Sequence, residues 1–396
     1  MIVDSASLDV LPVSDEVLCA VAGEYESEVE VGNLLWSNEL VLHVIELKTN
    51  GPAKNLHPLP EIFHDHVGRV NRLLDPLGGR LMPTSTHPWM NPDREMKLWP
   101  HQDNEIYDAF NRIFDCRGHG WANLQCSHLN LPFAGDEEFG RLHAAVRLIL
   151  PIIPAIAASS PLLELKPTGM LDTRLDLYRK NSGKIPSITG RVIPEPVFTP
   201  KEYDHLILQR LYRDIAPHDP EGILRHEWLN ARGAIARFER STIEIRIIDI
   251  QECPMADLSI IAAIVRVIEA MVSELWCDVA RQKSFGVEEL ERVMLTTMTA
   301  GEYAVISDRK YLDALGFRLS GRCTAGELWQ HLVETLFPAT REETAAWRDT
   351  LLAIIKNGTL SSRILRALGG ELAPERVSDV YRGLCDCLAE GRIYTG

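Results

Sequence analysis

The chain lacks an uninterrupted apolar run long enough to cross a bilayer. Its longest apolar stretch, Leu258 to Leu275, carries Arg266, Glu269 and Glu274, which fits a buried helix and not a membrane span. No basic stretch followed by an apolar run comes after Met1-Ile-Val-Asp4, so no ordinary signal peptide is expected and the cytoplasm is the expected location. Cysteine is sparse: eight residues without dense, regular spacing read as reduced thiols and not as a disulfide framework. Cys385 and Cys387 lack partner pairs, which argues against a metal knuckle. Positive charge is also short, 41 Lys and Arg against 56 Asp and Glu for a net charge of −15. A protein devoted to nucleic-acid backbones is thereby disfavoured, whereas a local basic pocket for a small phosphate stays open. Neither a Walker-type Gly-rich loop nor a dinucleotide fingerprint is present, so a nucleotide would have to be held through metal-bridged phosphates and separate basic residues.

What is present is globular. Hydrophobic residues make up 45% and charged residues 24% of 396, values that exclude general disorder and coiled coil. Strand candidates are Glu39–Thr49, stopped by Asn50-Gly51-Pro52, then Leu124–Phe133 and Glu239–Gln251. Helical periodicity covers Val13–Val21, Pro60–Leu74, Glu105–Phe114 and Glu137–Ile149, with Pro151 and Pro154 placed to kink or divide the last of these. Asp257 is placed to cap a long helix. Residues 161–196, rich in Gly, Pro, Ser, Thr and basic residues, read as a working loop. From about residue 285 the candidates are helical throughout, which predicts a body over 1–284 and a helical C-terminal subdomain over 285–396.

The strand Thr242-Ile-Glu-Ile-Arg-Ile-Ile-Asp249 holds the sharpest chemical signal. Strand periodicity puts Glu244 and Arg246 on one face with Thr242 and Ile248, and Asp249 on the other with the isoleucines. Opposite charges in the middle of a core-like strand are costly to bury unless paired, metal-bound or in contact with a charged ligand. A carboxylate supplies hard oxygen ligands for a divalent metal and a guanidinium a bidentate fork for phosphate. Arg232, Arg237 and Arg240 cluster just upstream. His128 and Asn130 share a face of their strand, and His87 lies at a strand end. Glu39 and Glu46 are separated by an odd interval, so they meet in one pocket only if the strand begins after Glu39 or contains a bulge. Glu46, deeper in the apolar run, is the preferred ligand. Glu24, Glu26, Glu28 and Glu30 alternate as a ligand array would, and equally as an exposed acidic segment would. In the long loop, Asp172, Arg174, Tyr178, Arg179 and Lys184 offer groups for phosphate or a substrate carboxylate.

Together, Thr86-His-Pro88, Ser127-His-Leu-Asn130, Ala158-Ser-Ser-Pro161 and especially Thr242–Asp249 resemble the second glutamate-cysteine ligase family. The resemblance covers roughly residues 1–280. Its members include bacterial ATP-dependent carboxylate-amine ligases and are similar in catalytic fold to glutamine synthetase. The resemblance implies an α+β fold, a glutamine synthetase-like antiparallel sheet with packed helices. It implies that Glu244 ligates magnesium and that Arg246 contacts the transferred phosphate. His128 and Glu46 match positions lining the metal-nucleotide site, Asn130 falls where relatives often carry a second histidine, and Arg240 and Arg174 match substrate or phosphate contacts. The implied reaction activates a carboxylate by phosphoryl transfer from ATP with Mg2+, then lets an amine attack the acyl phosphate; glutamate and cysteine are the family's substrates. No covalent enzyme intermediate is required, and Cys116 and Cys126 are expected to be structural thiols. Relatives carry a strand with two glutamates just before a segment like Met1-Ile-Val-Asp4. Its absence from this sequence keeps a second expectation in view, a non-catalytic relative that binds nucleotide or amino acid. Homo-oligomerisation through sheet edges or the helical tail is also open.

Overall fold

The computed structural model of the chain describes residues 1–396 apart from the side chain of Glu343. Its strands are, in chain order, β1 (Ile2–Asp4), β2 (Glu28–Val31), β3 (Leu34–Asn38), β4 (Ile45–Thr49), β5 (Gly79–Leu81), β6 (Cys126–Pro132), β7 (Leu162–Leu163), β8 (Lys166–Pro167), β9 (Ala234–Arg237), β10 (Thr242–Asp249), β11 (Val305–Ile306) and β12 (Cys323–Thr324). They assemble into antiparallel sheets, β2–β3–β4 and β6–β10–β9 with the pairs β1–β5, β7–β8 and β11–β12. With the packed helices and the helical C-terminal stretch this is the expected α+β architecture.

β10 is the centre of its sheet because its isoleucines can be covered. Ile243, Ile245, Ile247 and Ile248 are fully buried. They share one apolar core with Phe139 and Ile149 of the helix Gly135–Ile149 and with Ile260 and Ile264 of the helix Pro254–Val272. The second helix starts earlier than expected: Pro254 occupies its first turn, where a missing N–H costs nothing. Asp257 therefore sits inside the helix and caps nothing. Its carboxylate instead accepts from the Gln251 backbone N–H at 2.8 Å and from Ser127 Oγ at 3.3 Å. Among the described residues no helix is long and apolar enough to cross a membrane.

The expected single strand over Glu39–Thr49 is two elements' worth of chain. Residues 39–44 form a turn between β3 and β4. Their backbone groups are claimed elsewhere: Leu42 N–H donates to Lys97 O at 2.9 Å, and Leu42 O and His43 O accept from Ser14 and Ile2. The irregular segment 161–196 holds one helix that its composition concealed, Thr173–Tyr178, started by Asp172 accepting from Leu175 N–H at 2.9 Å.

In the C-terminal stretch, Leu290, Trp329 and Leu351, from the helices Val287–Ala300, Ala325–Leu336 and Ala345–Asn357, belong to the same core as β10. The helix Leu360–Leu368, unforeseen, and the helix Pro374–Glu390 pack with Val3 and Met82. A fully buried ion pair joins Arg363 to Glu252, just beyond β10. The same guanidinium donates to Tyr394 O at 2.6 Å, so the end of the chain is strapped to the turn after β10.

Candidate active site

The register of β10 against β6 decides which side chains meet. Asn130 lies directly opposite Glu244, and Cys126 directly opposite Asp249. Cys126 and Asn130 are an even interval apart on β6 and share a face, and directly opposed residues point to the same side of a sheet. Glu244 and Asp249 therefore share that face too, although their interval is odd. The cause is a β-bulge: Ile245 pairs with Leu129 and Ile248 with Ser127, leaving Arg246 and Ile247 together opposite His128. The expected division of β10, with Asp249 facing away from Glu244, is corrected by this one extra residue. Gly233 makes room for it, since a Cβ there would come within 3.0 Å of Ile247 Cγ2 and 2.9 Å of Val192 Cγ1.

Glu244 is buried and held from three sides. Arg246 donates to its Oε1 from Nε at 3.0 Å and Nη2 at 2.5 Å, Arg237 donates from Nη1 to Oε2 at 3.1 Å, and His128 Nδ1 lies 3.8 Å from Oε1. Burial would raise its pKa, but Arg246, His128 and Arg237 outweigh that and hold the carboxyl at about 2. His128 places Nε2 3.3 Å from Cys126 Sγ. Burial would lower its pKa, yet Cys126 and Glu244 outweigh both burial and Arg246 and bring it to about 9. His128 is thus an imidazolium at neutral pH and reaches a metal only by giving up that proton.

A second acidic group adjoins this one. Glu46, on β4, accepts from Ser37 Oγ at 2.9 Å and pairs with Lys48 at 3.2 Å. Lys48 also reaches Glu28 at 2.6 Å. Glu39, in the turn before β4, is pushed up to about 7 by burial and by repulsion from Glu46, with His128 pulling the other way. Glu46, on β4, and His128, on β6, therefore both lie near enough to Glu39 to act on its charge. Tyr107 stands beside them, its hydroxyl accepting from Asn38 Nδ2 at 3.1 Å.

A profile of glutamate-cysteine ligase family 2 (GCS2) matches residues 1–383. The chain belongs to glutamate-cysteine ligase family 2. It is accordingly a carboxylate-amine ligase of that family's general type. It is also 33% identical over 347 residues to an uncharacterized protein of Archaeoglobus fulgidus, covering 86% of this chain and 92% of that protein.

In this family 2 ligase the remaining candidates separate by location. Arg174 is fully buried, ion-paired to the equally buried Asp249, and its Nη1 lies 3.5 Å from Arg246 O. Asp249 also accepts from Ser159 N–H at 2.8 Å and Ser160 Oγ at 3.0 Å, which is what the Ala158-Ser-Ser-Pro161 motif does. Lys184 donates to Ile113 O at 3.0 Å. Arg240 is exposed in the turn joining β9 to β10. Arg232 is buried on Glu195, at 2.5 Å. His87 is a buried structural residue: Nε2 donates to Leu8 O at 2.8 Å and Nδ1 accepts from Met90 N–H at 3.0 Å. Cys116 is a buried thiol as expected, whereas Cys126 lies on the site face against His128.

The residue that sequence reasoning left aside is Glu39. The signal was present in the odd interval to Glu46, which allowed a strand starting after Glu39, and β4 does start at Ile45. Among the described residues no three His, Cys, Asp or Glu side chains gather closely enough to hold a metal ion unaided. Glu39 and Glu46 are two carboxylates that act on each other here, and Mg2+ commonly takes one or two carboxylates and completes its shell with phosphate oxygens and water.

Proposed function

We propose that the chain is an ATP-dependent, Mg2+-requiring ligase that joins a carboxylate to an amine through an acyl phosphate, with glutamate and cysteine as the first substrates to test. The observation that carries this reading is the Glu244–Arg246 clamp, a buried ion pair beside an acidic pair that retains a proton near neutral pH. Membership in glutamate-cysteine ligase family 2 supports it.

Glu39 and Glu46 would hold the metal, with His128 and Glu244 next to it. Bound magnesium would neutralise the nucleotide phosphates and order them for transfer. Glu244, ionised at any working pH, fixes the plane of Arg246 and leaves part of its guanidinium edge for a phosphoryl or carboxylate oxygen. Asn130, opposite Glu244, presents an amide at the same level of the sheet. Arg240, at the open end of the hairpin, is placed to attract an anionic substrate. Arg174 contributes from beneath, by holding Asp249 and the backbone of Arg246. Lys184 would serve nucleotide binding only through the segment it fastens at Ile113.

The test is Mg2+-dependent ADP release by the purified protein with glutamate and an amino-acid panel including cysteine, with product mass read in parallel. Release coupled to a new amide mass is the expected result. Stoichiometric ATP binding without release would instead identify a binding protein and overturn the ligase reading.

A further inference from the structure

Lys48 does not take the partner that its own row offers. Across the β2–β3–β4 sheet, Glu30, Leu35 and Lys48 stand directly opposite one another, and the adjacent row on the same face is Glu28, Ser37 and Glu46. The Lys48 ammonium leans into that second row. Its Nζ lies 2.6 Å from Glu28 Oε2, 3.1 Å from Ser37 Oγ and 3.2 Å from Glu46 Oε2. Ser37 Oγ donates to the same Glu46 oxygen at 2.9 Å. Both contacts fall on Oε2, and among the described residues Glu46 Oε1 has no partner.

The side chains of Lys48, Glu46 and Glu28 keep 37%, 31% and 47% of their surface exposed. Ion pairs this open contribute little to folding, so the meaning of the cluster lies in its charge. Glu46 belongs to the acidic pair assigned above to the metal. Two bare carboxylates attract a divalent cation but repel the phosphates of a metal–nucleotide complex, which is a net anion. A fixed ammonium on Glu46 has the reverse effect on both. We propose that Lys48 is the specificity-determining counter-ion of Glu46: it leaves Oε1 for the metal, offsets one carboxylate charge, and so favours the metal–nucleotide complex over the bare metal. The metal role of Glu46 rests on the ligase reading, whereas its pairing with Lys48 does not.

Lys48→Met keeps the length of the side chain and removes its charge. With folding checked by thermal melting, Mn2+ alone is titrated into wild type and variant, and the free ion is read by electron paramagnetic resonance. The Mn2+ complex of adenylyl imidodiphosphate is titrated separately by calorimetry. In Lys48→Met the bare ion should bind about fivefold tighter and the complex about fivefold weaker, the scale of one partly screened charge. Lys48→Arg, which keeps the charge, should match wild type for the bare ion to within about twofold. A merely structural lysine would move both affinities in one direction or neither, and either result overturns the proposal. If neither protein binds the nucleotide complex, the ligase reading fails, and tighter bare Mn2+ in Lys48→Met still upholds the counter-ion role. If wild type binds the complex and Lys48→Met leaves the bare-ion affinity unchanged, the ligase reading stands and the counter-ion role falls.

Discussion

Asp249 stands directly across the ladder from Cys126, although a regular strand would have turned it to the opposite face from Glu244. The bulge at Arg246–Ile247 brings both carboxylates to one side and spends them differently. Glu244 is shared among Arg246, Arg237 and His128 beside the candidate site, whereas Asp249 lies deeper, holding Arg174 and the Ser159–Ser160 turn. The deeper pair supports the shallower one, because Arg174 also reaches the carbonyl of Arg246.

Asp249→Asn should therefore act on stability before it acts on chemistry. It leaves the buried Arg174 charge without its counter-ion, a loss of about 3–5 kcal/mol for a pair of this kind. The urea midpoint should drop accordingly. A variant that melts like wild type would mean that Arg174 finds another partner or water.

His43 and His87 make stability depend on pH. Both are buried, with Nε2 donating to Ala122 O and Leu8 O at 2.8 Å, and burial lowers each from 6.5 to about 4. The unfolded chain then takes up more protons than the folded one between those values, so stability is full above about 6.5 and is lost as pH falls toward 4. Glu39, held near 7 in the folded protein, works the other way over the same range, so the test is a difference: between pH 7.5 and 4.5 the urea midpoint of His87→Gln should fall less, or rise more, than that of wild type. Equal pH slopes in the two proteins would show that His87 does not contribute.

The candidate site was legible in sequence where its signal was local and lost where the backbone departs from regularity. Glu244 and Arg246 were found because charge in an isoleucine-rich strand needs a reason, His128 because it shares a strand face with Asn130, and the three do meet. Asp249 was put on the wrong face because a bulge has no signature in the strand's own period. Glu39 was set aside because the hydrogen bonds that end the strand come from Ser14, Lys97 and Ile2, distant in sequence. The serine and histidine motifs pointed to the right neighbourhood but bind backbone and Asp249 instead of ligand. In the tail, amphipathic spacing located the helices, and Leu360–Leu368 escaped because it is short and carries three polar residues in its first turns, Ser361, Ser362 and Arg363.

Glu39 should couple magnesium binding to proton release. Its carboxyl sits at about 7 through burial and the nearness of Glu46, so near neutral pH a substantial fraction of molecules carry a proton that an incoming cation must displace. Affinity should rise between pH 6 and 8 and level off above. Proton release, read by calorimetry in buffers of different ionisation heat, should shrink over the same interval. Glu39→Gln should abolish the release and weaken the metal. Affinity that does not change with pH would remove Glu39 from the metal site.

Arg246→Lys tests the clamp itself. A lysine keeps the positive charge opposite Glu244 but offers no planar fork, so it cannot bridge Glu244 and a ligand oxygen at once. Because Arg237 and His128 still neutralise Glu244, the variant should fold and bind nucleotide. Its kcat should nonetheless fall on the order of a hundredfold, the scale of losing one preorganised donor in a water-poor site. Glu244→Ala approaches the same point from the other side, freeing Arg246 to swing and lowering metal-dependent turnover at least as far. If both variants fold and turn over like wild type, then the pair is structural and the phosphoryl group is stabilised elsewhere.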